Sequence, residues 1–200
     1  PTLGATAKIF SVDGIKFNSP NNSYTFITNG NETLSQYITF IHGAGVFNTF
    51  STPQTLSCIK GGTISFTHGT AGNSSITYDI DSDNASHPSA LSFNNDSTAG
   101  SANIKVNPFG VIEFHDSASA ASATIALNQA HLGFNTSSSL STAHVSLTNQ
   151  SSCVALQNIT LAALSADSTS TLNIQGSSIL TVGDNATLGD VISGSISGTG

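Results

Sequence analysis

The chain has 200 residues and a formal net charge of −7, with 4 Lys, no Arg and 11 Asp and Glu residues. So few cations make it a poor ligand for nucleic acid or for an anionic membrane. A hydrophobic content of 38% argues against disorder, and no stretch approaches the ~18–20 apolar residues of a membrane-spanning helix.

Residues 1–66 carry the least regular pattern. An apolar-x-aromatic triplet occurs three times in this segment, at Ile15–Phe17, Ile38–Phe40 and Ile64–Phe66. Between the last two lies an apolar, glycine-containing stretch from Ile41 to Pro53, which we expect to leave the main body of the fold as a loop. We expect residues 1–66 to form irregular coils or a cap, because terminal repeats are often atypical.

The next segment combines a strand with a polar excursion. Residues 75–80 alternate as a half-buried strand does, and residues 79–89 then form a polar loop. Asp79, Asp81 and Asp83 stand at alternate positions, as in the first half of a calcium loop. The sixth position is Asn84 and the twelfth is Ala90, where such a loop has Gly and Glu, so a solvated acidic turn is the competing interpretation.

Residues 90–149 repeat one pattern three times. The triplet returns as Leu91–Phe93, Ile112–Phe114 and Leu132–Phe134. Behind each triplet, apolar residues recur at the same four distances: Ala99, Ala120 and Leu140; Ala102, Ala123 and Ala143; Ile104, Ile125 and Val145; Val106, Leu127 and Leu147. A recurrence of this length indicates a solenoid in which equal positions stack as ladders.

Weaker triplets continue the series at Val154–Leu156 and Leu180–Val182. The pattern therefore predicts an all-β fold, a right-handed parallel β-helix of about eight coils of 20–27 residues. We expect a single β-helix segment of a longer protein over residues 1–200, regular over 67–149 and looser over the Gly/Ser-rich residues 150–200.

The two cysteines, Cys58 and Cys153, lie several coils apart in this arrangement, so we expect both to be free and buried. The six histidines do not form a two-His motif at metal spacing, and His115 and His144 should point outward. Glu113 and Asp116 are the acids of the second of these repeats. The same slots one coil later hold Gly133 and Thr136, so paired carboxylates for glycoside hydrolysis are not predicted.

Two stretches resemble the repeats of bacterial autotransporter passenger domains. Ser193–Gly200 is similar to their G-x-I-S-G-T-G strands, and Leu91–Ile104 is similar to their L-x-F-x-x-x-S-x-A-G-x-A-x-I repeats. The resemblance implies a β-helix displayed on the surface of a Gram-negative cell, anchored through an outer-membrane barrel beyond residue 200.

Such passengers include adhesins, proteases, esterases and inert stalks. The protease motif Gly-Asp-Ser-Gly has only Gly183-Asp184-Asn185-Ala186 as its nearest counterpart, without a nucleophile. We therefore expect a non-enzymatic adhesin or display stalk, with a host-surface or matrix protein or a glycan as partner and with self-association as a further interaction. The competing hypotheses are a carbohydrate-active β-helix enzyme and a purely structural spacer. We expect ligand binding at the two excursions, 41–53 and 79–89.

Overall fold

The computed structural model describes residues 9–30, 37–135, 142–183 and 191–198. These ranges contain eighteen β-strands, numbered here in chain order, and none of their residues belongs to a helix long and apolar enough to cross a membrane. The strands alternate along the chain between two large sheets, A and B, and a narrower third side.

Sheet A contains nine strands: β1 (Ile9–Phe17), β3 (Tyr37–Asn48), β5 (Gly62–Phe66), β7 (Ala90–Phe93), β9 (Val111–Phe114), β11 (His131–Phe134), β13 (Ser152–Ala155), β16 (Thr171–Ile174) and β18 (Ser195–Gly198). Sheet B contains seven: β2 (Thr25–Asn29), β4 (Gln54–Ile59), β6 (Ile76–Ile80), β8 (Asn103–Val106), β10 (Thr124–Asn128), β12 (His144–Thr148) and β15 (Ala163–Ala166). The third side holds β14 (Ile159–Leu161), β17 (Leu180–Val182) and single bridges that join Gly45, Thr70, Thr98 and Ser119.

Every one of these strand pairs is parallel, and each inner strand of sheets A and B pairs with the strand one coil earlier and the strand one coil later. This is a parallel β-helix, as the repeat predicted, and it makes about seven turns, close to the eight expected. The two faces of each short strand differ because side chains alternate with a period of two, so one face of each strand lines the interior.

The interior of sheet A is an aromatic ladder. Phe66, Phe93, Phe114 and Phe134 occupy one slot of four successive coils and are fully buried. Their ring centroids lie 5.1, 4.9 and 5.4 Å apart, and the planes deviate by 9°, 8° and 21° from parallel. Tyr78 meets Phe66 edge-on from sheet B at 5.9 Å. The ladder predicted for the three regular coils is confirmed and begins one coil earlier.

Sheet B contributes two aliphatic ladders to the same core. Ile104, Ile125 and Val145 share one slot, and Val106, Leu127 and Leu147 share the next inward slot. Ala99, Ala120, Ala102, Ala123 and Ala143 are buried at the corners between strands, while Leu140 lies outside the described residues. Small side chains suit these corners because the chain turns there toward the axis of the coil.

Two predicted triplets are shifted by one residue. In β3, Thr39 pairs with Ile64 and Ile41 pairs with Phe66, so Thr39 and Ile41 point inward instead of Ile38 and Phe40. The buried Thr39 hydroxyl lies 2.9 Å from the hydroxyl of Thr28 across the core, which satisfies both groups. A polar pair thus replaces the apolar residue that the pattern expected.

The same shift occurs in β13. Cys153 pairs with Leu132 and Ala155 pairs with Phe134, so the expected Val154–Leu156 pair faces outward and Leu156 is 38% exposed. The Phe ladder ends here in a small residue, Ala155. An alanine is not recognisable in the sequence as the continuation of a ladder of large apolar side chains.

The triplets Ile15–Phe17 and Leu180–Val182 belong to the third side. A bulge at Asp13 separates the sheet A part of β1 from Ile15–Phe17, which pairs with residues 46–48. Leu180–Val182 pairs with β14, and the sheet A strand of that coil is β16, with Leu172 and Ile174 in the inward slots. The series of triplets in the sequence therefore combines strands of sheet A with strands of the third side.

Candidate functional site

The outer face of sheet A carries a cluster of titratable side chains, Glu113, His115 and His131, called here the His-Glu cluster. Glu113 and His115 project from β9 and its C-terminal end, and His131 opens β11, the neighbouring strand. His115 Nε2 lies 3.3 Å from Glu113 Oε2. His131 Nδ1 lies 2.8 Å from the hydroxyl oxygen of Ser152 on the next strand. The cluster therefore spans two adjacent coils and is tied to a third through Ser152.

Gly133 makes room for this cluster. It pairs with Glu113, and its outward position has no side chain. A Cβ atom placed there would lie 3.5 Å from His131 Nε2 and 3.8 Å from Glu113 Oε1, so both side chains lean over the glycine and bury it. The Glu113 carboxylate thus lies beside the His115 ring and shares the space over Gly133 with His131.

Burial lowers the pKa of His131 below its ordinary value, and the negative charge of Glu113 partly opposes that shift. A half-buried imidazole beside a carboxylate can accept and release a proton, and this is the chemistry that His131 brings to this face. Among the described residues, no three His, Cys, Asp or Glu side chains are arranged to hold a metal ion.

The sequence pattern correctly predicts that His115 points outward and that Glu113 and Gly133 share a slot, but it does not predict that His131 lies near Glu113. His131 follows Glu113 in the chain by almost a whole coil, so no local motif joins them. Writing the coils in register would have revealed it, since His131 falls two residues before Gly133 and strand neighbours on one face are two residues apart.

The second predicted excursion, residues 79–89, is a loop over residues 81–89, which connect β6 to β7, whereas its first two residues belong to β6. Its backbone is held by side chains: Asn84 Oδ1 accepts from the amides of Ser86 at 3.0 Å and His87 at 3.1 Å. The buried Ser82 hydroxyl donates to the His87 carbonyl at 3.1 Å. Ser89 Oγ donates to the Asp81 carbonyl at 2.6 Å. The loop is therefore an organised feature of the surface.

The proposed calcium ligands do not come together in this loop. Asp79 lies in β6, where its carboxylate accepts a hydrogen bond from Asn107 at 2.8 Å. Asp81 and Asp83 are exposed on the loop that follows. The acidic-turn interpretation accounts for this arrangement.

The first predicted excursion, residues 41–53, is mostly wrong. Residues 41–48 are strand β3, which runs on from sheet A to the third side, and the loop is confined to residues 49–53. Asn48 organises it by donating to the Thr52 carbonyl at 2.8 Å and accepting from the Phe50 amide at 3.2 Å. Gly43 and Gly45, at φ of 63° and 92°, let the strand turn this corner without leaving the sheet, because glycine adopts positive φ at little cost.

The two loops leave the β-helix at different corners. Residues 49–53 connect the third side to sheet B, whereas residues 81–89 connect sheet B to sheet A. They lie at opposite edges of sheet B and do not share one face, so each is a separate surface feature.

Other histidines lie along the outer surface. His42 Nδ1 is 2.6 Å from the Thr67 hydroxyl, and its ring stacks on Phe40 with centroids 5.9 Å apart. His68 pairs with Asp96 on the next coil, and this hydrogen bond lowers the pKa of Asp96. Asp116 Oδ2 accepts from the Asn95 amide at 3.1 Å, and Thr136 lies outside the described residues.

The two cysteines are buried and free, as predicted. Burial raises the pKa of Cys153 to about 12 and raises that of Cys58 as well. Neither thiol has the depressed pKa of a nucleophile, so both act as small apolar residues of the core.

Comparison with known proteins gave no match: no family model, no curated protein and no solved structure matches this chain.

Proposed function

We propose that the chain is part of a cell-surface passenger domain that acts as an adhesin or display stalk. The observation that carries the proposal is an organised loop, residues 81–89, where the next coil joins the same two sheets by the four-residue turn 107–110. Its polar groups are tied to the loop backbone by Ser82, Asn84 and Ser89, while Asp81 and Asp83 remain exposed. A rigid scaffold that presents a pre-ordered loop suits macromolecular recognition, because little ordering entropy is lost on binding.

The remaining outer surface supports the same proposal. The outward residues of sheet B are mainly short and uncharged, such as Thr55, Ser57, Thr124, Ser146 and Ser165. Such a face is flat and suits broad contact with a protein or glycan better than enclosure of a small molecule. We further propose, from the resemblance of its repeats, that the chain lies outside the bacterial cell and is anchored by an outer-membrane barrel.

Replacing residues 81–89 by the turn Asn107–Gly110 tests the recognition role. That turn connects β8 to β9 at the same corner, since Asn107 donates to the Ile80 carbonyl as Asp81 donates to that of Cys58. The swap should leave the circular dichroism spectrum unchanged and abolish binding to a glycan array or to immobilised collagen and fibronectin. Replacing residues 49–53 by Gly-Ser linkers of equal length is the matched control at the opposite edge of sheet B.

Binding that survives the swap in the folded protein would place recognition elsewhere on the rod. Absence of binding by the unaltered chain would leave the stalk function. The surface location has its own test, in which protease added to intact producing cells should digest the chain. A chain protected from protease in intact cells, or release of reducing ends from polysaccharides by the purified protein, would refute the proposal.

A further inference from the structure

A strained and exposed aromatic residue stands at one corner between sheet B and sheet A. Phe109 is the third residue of the turn 107–110, which is closed by a hydrogen bond from the Gly110 amide to the Asn107 carbonyl at 2.9 Å. Pro108 is the second residue of the turn, and Phe109 has a φ of 62°. This is the pattern of a type II turn, whose third residue is ordinarily Gly or Asn because its φ is positive.

The folding of the chain does not explain a phenylalanine at this position. A bulky side chain at positive φ strains the backbone. The Phe109 ring is also 38% exposed, so burial offsets only part of that strain. At the same corner, other coils place Gly61, Gln129 and Gln150 at positive φ. A strained residue that the core does not require points to a role in recognition, because such residues cluster at binding sites.

The 81–89 loop turns the same corner one coil before Phe109. It has nine residues, whereas the turn 107–110 has four, so its additional residues project from the corner. The side chains of Asp81 and Asp83 are exposed on this loop. The ring of Phe109 is therefore preceded by a projecting loop that carries hydrogen-bond acceptors.

Exposed amide side chains follow Phe109 at the same corner of the next two coils. The Phe109 amide donates to the Gln129 carbonyl at 3.0 Å, so these two residues are neighbours across the coils. Asn149 and Gln150 turn the corner of the coil after that, and the side chains of all three residues are exposed. Hydrogen-bonded strands lie about 4.8 Å apart. The aromatic ring and the amide groups therefore form a row parallel to the axis of the β-helix.

We propose that this row binds an uncharged glycan, with one sugar ring stacked on Phe109 and its neighbours bonded to Gln129 and Gln150. The C–H face of a sugar ring packs on an aromatic face, which is large, rigid and apolar. Amide groups donate and accept hydrogen bonds, as sugar hydroxyl groups do, and they carry no charge. This assignment rests on the proposed role in surface recognition and names the class of ligand.

A basic protein segment is the competing ligand. A cation also stacks on an aromatic ring, and the exposed Asp81 and Asp83 would attract it. The amide row favours the glycan, because the groups that continue the site beyond Phe109 are neutral. Salt separates the two ligands, since ions screen the attraction between exposed charges but not the stacking and hydrogen bonding of a neutral sugar.

The test measures binding of the whole chain to sensors that each carry one uncharged polysaccharide: mannan, laminarin, galactan or xylan. Biolayer interferometry gives the dissociation constant. We expect the unaltered chain to bind at least one of them, with the same dissociation constant at about 50 mM and about 500 mM NaCl.

Four variants of the corner row test the assignment. Phe109→Tyr keeps the ring and should retain binding, whereas Phe109→Gly should weaken binding by about tenfold or more. Gln129→Ala and Gln150→Ala should each weaken it by about fivefold. Glycine suits the positive φ, so the urea midpoint of Phe109→Gly should equal or exceed that of the unaltered chain.

Two exposed residues away from this corner provide matched controls. Phe47 is 41% exposed on the third side, and Gln175 is exposed where β16 leaves sheet A. Phe47→Leu and Gln175→Ala should bind as the unaltered chain does. A loss of binding in these controls equal to that in the corner variants would contradict the assignment.

Four further results would overturn the proposal. They are no binding to any of the four polysaccharides, unchanged binding by Phe109→Gly, binding that is lost at high salt, and a lower urea midpoint for Phe109→Gly. Loss at high salt would assign the site to a basic protein, and a lower midpoint would give the ring a role in folding.

Replacement of the 81–89 loop separates this proposal from the role proposed for that loop. Polysaccharide binding that survives the loop replacement but is lost in Phe109→Gly would support the glycan row and refute the role of the loop. Binding to collagen or fibronectin that the loop replacement abolishes, in a chain that binds no polysaccharide, would support the loop and overturn the glycan row.

Discussion

The rings of Phe93 and Phe114 stack with centroids 4.9 Å apart and planes 8° from parallel. Both residues occupy the same slot of neighbouring coils, so the spacing of the rings follows from the spacing of hydrogen-bonded strands. Phe114 also stacks on Phe134, at 5.4 Å, which places it in the middle of the ladder. Its side chain is fully buried and touches aromatic rings on both sides.

Replacing Phe114 by Ala should lower the free energy of unfolding by about 3–5 kcal/mol. The reason is that removal of the ring leaves a cavity, which the hydrogen-bonded parallel strands cannot close. Urea titration followed by circular dichroism measures the loss. Phe109→Ala is the matched control, because Phe109 is 38% exposed at a corner. A loss below about 1 kcal/mol for Phe114→Ala would contradict the central role of the ladder.

Ser97 offers a stabilising substitution. Its hydroxyl is buried and makes no hydrogen bond within the described part of the chain, while Ala118 fills the neighbouring slot one coil later. Ser97→Ala removes an unsatisfied polar group without creating a large cavity, so we expect a gain of about 1 kcal/mol. The gain is measured by urea titration.

Ser89→Ala is the contrasting variant, since the Ser89 hydroxyl donates to the Asp81 carbonyl at 2.6 Å and accepts from the Gly61 amide at 3.0 Å. Losing these partners should cost about 1–3 kcal/mol. If both serine variants changed stability in the same direction and by the same amount, the hydrogen-bond argument would be wrong.

A glycine at the corner before sheet B allows the cost of backbone strain to be measured. Gly100 has a φ of 63°, and a Cβ atom added to it would lie 2.2 Å from the carbonyl oxygen of Gly72 one coil earlier. Gly100→Ala should therefore cost about 2 kcal/mol or more, because the backbone of one coil must move. Thermal or urea unfolding of the purified variant gives the loss.

Ala121 takes the same corner position one coil later, with its amide bonded to Ser119 Oγ as that of Gly100 is bonded to Thr98 Oγ1. Its φ of 47° strains an alanine, so Ala121→Gly should range from neutral to a gain of about 1 kcal/mol. A harmless Gly100→Ala would show that the coils can separate locally at this corner.

The cysteines predict a reactivity pattern. Cys58 and Cys153 are fully buried, and burial raises the pKa of both thiols. A thiol reagent such as dithionitrobenzoate should therefore modify neither in the native protein and both in urea, since the reactive thiolate is absent and access is closed. Fast modification of either thiol without denaturant would disprove its burial.

How much of the fold the sequence predicts depends on which residues fill the inward slots. Where large residues do so, as in Phe93, Phe114 and Ile104, the period is visible and the register came out correctly. Where Thr39 or Cys153 fills the slot, the large apolar residues stand one position away from it. The predicted register is then wrong by one residue, which exchanges the inward and outward faces of the strand. Buried polar pairs and small residues satisfy the core without leaving that signal.

The candidate site was less predictable for a geometric reason. Glu113 and His131 lie near each other because one coil returns His131 to the strand beside β9. A change of one residue in coil length would move His131 to the other face. Contacts between neighbouring coils depend on the register of the strands. Because loops such as 81–89 make the coils differ in length, this register has to be read from the folded structure.

His131 predicts how stability depends on pH. Its folded pKa lies below the ordinary value of 6.5 because the ring is partly buried, while the unfolded chain keeps the ordinary value. Between the folded and the unfolded pKa of His131, the unfolded state binds more protons than the folded state. The contribution of His131 to the free energy of unfolding is therefore fully present above about pH 6.5 and is lost as the pH falls toward the folded pKa. The pKa values of Asp96 and Asp167 are also lowered, but these carboxyl groups change the pH dependence of stability only below about pH 4.

Urea titrations of the unaltered chain at about pH 7.5 and about pH 5.5 should therefore show lower stability at the acidic value. His131→Asn should reduce this difference. Glu113→Gln should extend the loss to lower pH, because it removes the charge that opposes the fall in the His131 pKa. A stability difference that is the same in the unaltered chain and in His131→Asn would assign the pH dependence to other groups. The pair of variants thus separates the burial of His131 from the charge beside it.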